Sequence, residues 1–254
     1  MADILKINEI CAGYGAKQVL FEVSAALCRG ELISVIGPNG CGKSTLLRAA
    51  AGLIGITDGE VSVDGASLNT LSRNEVAKRI AYLPQGKSTP DMTVEQMVLH
   101  GRFPYLDYPR RYGEADRRIA LEAMRAVGIE NEAKTPLCAL SGGMRQNAYI
   151  AMALAQDTNY VLLDEPTTYL DAAHQIALMR TLCDLAKKGK GIAAVLHDIP
   201  LALGYSDKVL VISEGHAVAF GTPDDILRSG LIESVFGISV LRDINGGYYT
   251  VYKK

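Results

Sequence analysis

The chain has 254 residues, 48% of them hydrophobic and 21% charged, with a formal net charge of −2. That size and apolar fraction suffice for one or two globular domains with a full core. The charge balance excludes a global basic field for nucleic acid, and no apolar run approaches the ~18 residues of a membrane span.

In chain order, the first segment carries Asp3 and Glu9 and no long apolar core, so it does not read as a signal peptide. Residues 4–10 and 19–27 alternate apolar and polar side chains, as half-buried strands do. "LISVI", 32–36, is continuously apolar, the pattern of a buried parallel strand. "KSTLLRAAAG" then reads as a helix with Gly52 just past its end. "GEVSVDG" predicts a strand closed by an Asp-Gly turn, and "RIAYLPQ" a further strand. From about residue 88 the texture changes. Thr93 and Gln96 form a capping box for "VEQMVLH", residues 101–113 read as a loop, and 114–127 form a charged helix stopped by Gly128. A third helix opens at Ser141. After it, the strands "YVLLD", "GIAAVLH" and "KVLVI" alternate with helices over 172–187 and 198–204, which is βαβ logic and implies a parallel sheet. The expected organisation is an α/β core with a small β lobe near the N-terminus and a helical insertion over about 88–156. Five scattered cysteines (Cys11, Cys28, Cys41, Cys138 and Cys183) form no CxxC pair and suggest reduced thiols.

"GPNGCGKST", 37–45, fits G-x-x-x-x-G-K-[ST] between a buried strand and a helix. Gly37, Gly40 and Gly42 let the backbone through Pro38, Asn39 and Cys41 wrap a polyphosphate. Lys43 reaches the β- and γ-phosphates, the Ser44 hydroxyl ligates Mg²⁺, and Thr45 could reach the α-phosphate. Cys41, beside backbone N–H donors and Lys43, is expected to favour thiolate and to be shielded from maleimide by Mg·ATP; the alternative is a merely tolerated small residue. "YVLLDEP" ends a strand on two acids that should point to opposite sides, Asp164 toward Mg²⁺ and Glu165 as a base orienting water. His197 ends another buried strand. It is placed to contact the γ-phosphate, or else to hydrogen-bond the core. Gln85 could bridge Mg²⁺, water and the helical lobe, and Tyr14 could stack on adenine or be a plain turn tyrosine. Ser141-Gly142-Gly143 leaves bare N–H groups at a positive helix end. This second anion site lies on the inserted lobe and makes sense if it closes over the nucleotide of another copy in a two-fold dimer.

"GPNGCGKST", Gln85, "LSGGMRQ", "VLLDEP", "YLD" and His197 stand in the order found in ATP-binding cassette (ABC) ATPases, which the chain resembles over nearly its whole length. The resemblance implies a P-loop NTPase (RecA-like) α/β core with a parallel sheet, an N-terminal antiparallel β lobe and an inserted helical lobe. It implies one domain over 1–254, with 1–87 and 157–254 as core and β lobe and 88–156 as the helical subdomain. It gives Lys43, Ser44, Gln85, Ser141, Gly143, Asp164, Glu165, Asp171 and His197 the matching roles toward ATP and Mg²⁺, with Tyr14 as the adenine-stacking aromatic. "HGRFPY", "IAMALAQ", "LLDEPTTYLD" and "LHDIPLAL" further resemble the nucleotide-binding subunits of bacterial importers for iron–siderophore complexes, haem and vitamin B12. The implied partners are integral membrane permease subunits, met especially by residues 86–112, a second copy arranged head to tail, and indirectly a substrate-binding protein. Nucleic acid is not among them, and the implied location is peripheral, on the cytoplasmic face of the inner membrane. Met144 and Asn147 depart from the family pattern, which has Gln or Glu and then Arg. Two rivals fit less well. A soluble ABC-type ATPase acting on DNA or ribosomes would carry coiled coils, a duplicated cassette or basic patches, and a small-molecule P-loop kinase would not need "LSGG".

Overall fold

The computed structural model describes residues 3–86, 89–244 and 246–251. Strands β1 (Ile4–Tyr14) and β2 (Lys17–Cys28) form an antiparallel hairpin; β1 runs on past the alternating stretch 4–10, and β2 extends beyond 19–27 at both ends. Strand β3 (Leu32–Ile36) is buried at every residue and runs through the phosphate-loop motif into α1 (Lys43–Ala50). Strand β4 (Ile56–Val63) turns at Asp64-Gly65, both at positive φ, into β5 (Ala66–Ser67). Helix α2 (Arg73–Ala77) leads to β6 (Ile80–Leu83).

Helix α3 (Val94–Leu99) starts at the Thr93–Gln96 capping box. The segment read as a loop over 101–113 is partly ordered: His100–Tyr105 winds as a 3₁₀ helix. Contacts of the buried Arg102 side chain hold it in place. Arg102 Nε lies 3.0 Å from Asp116 Oδ1, and Arg102 Nη1 donates to the Ala155 carbonyl. Helices α4 (Glu114–Ala126) and α5 (Gly142–Ala155) pack on α3. Asn147, one of the two departures from the family pattern, donates to the Val127 carbonyl just past the end of α4. Met144, the other, packs half-buried on the core.

Strand β7 (Tyr160–Asp164), helix α6 (Ala172–Lys187), β8 (Gly191–Val195), α7 (Ile199–Tyr205) and β9 (Lys208–Ser213) restore the alternating pattern. The chain then departs from it. Strand β10 (His216–Gly221) returns antiparallel to β9, and α8 (Pro223–Arg228), α9 (Leu231–Phe236) and the hairpin of β11 (Ser239–Arg242) and β12 (Tyr248–Val251) follow.

The main sheet has the order β10-β9-β3-β8-β7-β6 and the small one β2-β1-β4-β5. Successive residues of a strand face opposite sides, and the core divides accordingly. Leu32, Leu163 and Ala194 pack on the side of α3–α9, whereas Ile33, Leu162 and Val195 pack toward α1 and the small sheet. Among the described residues, no helix is long and apolar enough to cross a membrane.

Candidate active site

Four neighbouring strands, β3, β8, β7 and β6, are parallel and end at nearly the same level, with Val35 beside Val195, Val195 beside Asp164, and Leu163 beside Leu83. At ~4.8 Å between strands, their carboxyl ends span about 15 Å. Four motifs distant in sequence are therefore delivered to one edge: the phosphate loop after β3, His197 after β8, Asp164-Glu165 at β7, and Gln85 after β6. Ligands of open α/β sheets bind along such an edge.

A cavity of about 420 Å³ lies there. It is lined by Asn39, Gly40, Gly42, Lys43, Ser44 and Thr45, by Val19 of β2, and by Gln85, Glu165 and His197. Helix α1 starts at Gly42 (φ +108), with no side-chain cap and no acid in its first turn. Its first N–H groups and positive dipole end are thus left for an anion. Lys43 is buried, and its ammonium donates to the carbonyls of Gly37 (2.7 Å) and Pro38 (2.8 Å), which draws the loop around it. A Cβ on Gly37 would collide with the Ile212 carbonyl, so only glycine lets β9 approach this turn.

Cys41 corrects an expectation. Its side chain turns into the core beneath the loop, where burial pushes the thiol up against the lowering effect of Lys43. Desolvation wins over the nearby charge, so Cys41 is a buried thiol and not a reactive thiolate. Maleimide at neutral pH should therefore modify exposed Cys138 well before Cys41, with or without Mg·ATP. Mass-spectrometric mapping checks this; nucleotide-dependent labelling at Cys41 would contradict it.

The two acids also separate differently from expectation. Asp164 is the last residue of β7 and buried, but Glu165 has already left the strand at φ +53. This left-handed turn, not strand alternation, aims Glu165 into the cavity. Its Oε2 accepts from Gln85 Nε2 at 2.6 Å and from Thr168 Oγ1 at 3.3 Å, and its Oε1 lies 2.8 Å from His197 Nε2. Asp164 accepts from Ser44 Oγ (2.9 Å) and Tyr82 OH (3.2 Å). Burial pushes its carboxyl up, opposed by those two hydrogen bonds. A buried carboxylate paired with a serine hydroxyl is an all-oxygen donor set suited to a hard divalent cation, which would offset the cost of burying the charge.

The remaining candidates lie elsewhere. Tyr14 ends β1, is half-exposed, and is absent from the cavity lining; its hydroxyl accepts from Arg48. Ser141 caps α5 by accepting from the Met144 N–H, and Gly142 and Gly143 face Tyr169 and Leu170. Asp171 caps α6, accepting from His174 N–H and meeting His174 Nδ1 at 2.8 Å. Ser141, Gly142, Gly143 and Asp171 do not line the cavity of their own chain. Sequence reasoning missed Tyr82, Arg48 and Thr168. Thr168 stands three residues after Glu165, a spacing that could have suggested it. Nothing in the pattern marks the other two.

The ABC transporter family model matches residues 20–168. The chain is 42% identical over 236 residues to the ferric enterobactin transport ATP-binding protein of Escherichia coli, covering 92% of this chain and 87% of that one. It is 39% identical over 238 residues to a petrobactin import ATP-binding protein of Bacillus anthracis, covering 93% and 87%. Among solved structures, a metal-chelate type ABC transporter in an inward-facing conformation matches with a TM-score of 0.84 at 27% identity, covering 98% of both chains.

Proposed function

This chain belongs to the ABC transporter family, and from that premise we propose that it is the ATP-hydrolysing subunit of a bacterial importer for iron(III)–siderophore complexes. The observation that carries the hydrolytic reading is Glu165, held between Gln85 and His197 beside the phosphate loop. Glu165 orients water toward the γ-phosphate and takes its proton, while Gln85, His197 and Thr168 fix the carboxylate's direction. Lys43 and the N-terminus of α1 offset charge on the phosphates. Ser44, Asp164 and Gln85 would hold magnesium, which supplies charge neutralisation between the phosphates. Tyr14 stacks on the base.

Ser141, Gly142, Gly143 and Asp171 serve the nucleotide of a second copy. That copy is arranged head to tail, so two half-sites complete two nucleotides. The subunit is peripheral on the cytoplasmic face of the inner membrane and drives integral membrane permease subunits, which receive cargo from a substrate-binding protein. Nucleic acid takes no part. Residues 86–112 meet the permease; Lys87 and Ser88 lie outside the described residues, but Phe103 and Tyr108 are exposed there. Lys78 lies over the Tyr105 ring and extends this face toward a cavity of about 610 Å³, walled by Leu53, Ile54, Leu68 and Val76 with Asn69 and Arg73 at its polar side. An apolar permease segment fits it.

The cargo rests on what the relatives transport. A deletion strain grown on single iron chelates, haem or vitamin B12 tests it. Loss of growth on at least one iron(III)–siderophore is expected. Failure confined to haem or vitamin B12 would overturn the cargo while leaving the ATPase.

A further inference from the structure

A line of hydrogen bonds runs from the base side of the site to its metal side. Arg48 on α1 donates from Nη1 to the Tyr14 hydroxyl (3.2 Å) and from Nε to the Tyr82 hydroxyl (3.3 Å). Tyr82 on β6 donates to Asp164 Oδ2 (3.2 Å), and Ser44 Oγ donates to Asp164 Oδ1 (2.9 Å). The direction of each link is set by chemistry. A guanidinium only donates, so Arg48 occupies a lone pair of the Tyr82 oxygen and leaves the phenolic proton for Asp164. Asp164 is thereby held at one oxygen and presents the other to Ser44. One planar guanidinium spans both tyrosines through two of its own nitrogens, which a lysine could not do.

We propose that Arg48 and Tyr82 are positioning residues that orient the Asp164 carboxylate toward the metal and tie that orientation to Tyr14 on the base side. The proposal rests on the ATPase reading for the roles of Asp164 and Tyr14. Arg48 and Tyr82 act through those two groups. Losing a partner that orients a metal ligand typically weakens metal binding 10–100-fold, and the links here are long, so the lower end applies. A second consequence is specific to the relay. Changing Tyr14, at the far end, should be felt at the metal, and only while Arg48 is present.

The test is a Mn²⁺ titration by electron paramagnetic resonance on the full chain with a non-hydrolysable ATP analogue. Tyr82→Phe keeps the ring and should weaken Mn²⁺ about tenfold, with metal-free nucleotide binding unchanged. Tyr14→Phe should weaken Mn²⁺ about two- to threefold, the low end of what one hydrogen bond is worth. In an Arg48→Met background, Tyr14→Phe should have no further effect, a non-additivity that independent sites do not show. Should Arg48→Met fail to fold, Arg48→Lys replaces it in the same cycle. Wild-type Mn²⁺ affinity in Tyr82→Phe, or an undiminished Tyr14→Phe effect without Arg48, overturns the relay. Asp164→Asn separates the two levels. If it abolishes Mn²⁺ binding while Tyr82→Phe does nothing, the relay fails and the site stands; if Asp164→Asn binds Mn²⁺ normally, both fail.

Discussion

Glu165→Gln should lower ATP hydrolysis by ~10²–10⁴, the usual share of general-base catalysis, while ATP binding survives. The amide matches the carboxylate in size and still receives contacts from Gln85, Thr168 and His197, so the cavity keeps its shape. What it loses is the ability to take a proton from water. Because binding persists and chemistry stops, the closed state has no exit, and an ATP-bound dimer should accumulate on gel filtration. Calorimetry separates this outcome from misfolding, since a misfolded variant would lose ATP affinity as well. Near-normal turnover would remove Glu165 from the role of base.

Lys43→Ala should act on the opposite side of that split. The buried ammonium makes two charge-assisted hydrogen bonds to Gly37 and Pro38 carbonyls and stands at the floor of the cavity. A hydrogen bond to a charged group is worth ~1.5–3 kcal/mol, so losing one contact to phosphate weakens ATP binding about 10–150-fold. The loop carbonyls lose their common partner too, which adds to the loss of preorganisation. Lys43→Arg keeps the charge but cannot fit the same buried position, and it should not restore binding. Fluorescent-ATP titration reads both variants, and wild-type affinity in Lys43→Ala would contradict the assigned role.

How far these residues could be read in advance depended on the kind of signal. The phosphate loop, the Thr93–Gln96 box, Gly128 after its helix and the apolar runs of β3, β7 and β8 are local, so their elements were legible from spacing and residue type. The sites of Gln85, Glu165 and His197 were legible as strand ends, but their meeting depends on β6, β7 and β8 lying side by side, a property of the crossovers. Arg48 and Tyr82 were illegible for the same reason, since a helix arginine and a strand tyrosine announce no partner. Cys41 was misread because its charged neighbour is visible in the sequence and its burial is not. The antiparallel return of β10 and the β11–β12 hairpin escaped because short, half-exposed strands carry weak periodicity.

In the proposed dimer the phosphate loop of one copy works with the Ser141 helix end of another, since Ser141 lies outside its own chain's cavity. Two copies fused in tandem test it. In the first fusion one copy carries Lys43→Ala and the other Ser141→Arg, whose bulk blocks closure. Action in trans then leaves one composite site intact and breaks the other twice. In the second fusion one copy carries both changes and its mate none, so every composite site has one broken half. Nucleotide occlusion per fusion is the measurement, because it does not require both sites to fire together. One occluded ATP is expected in the first fusion and none in the second. Occlusion in the second fusion alone would contradict it.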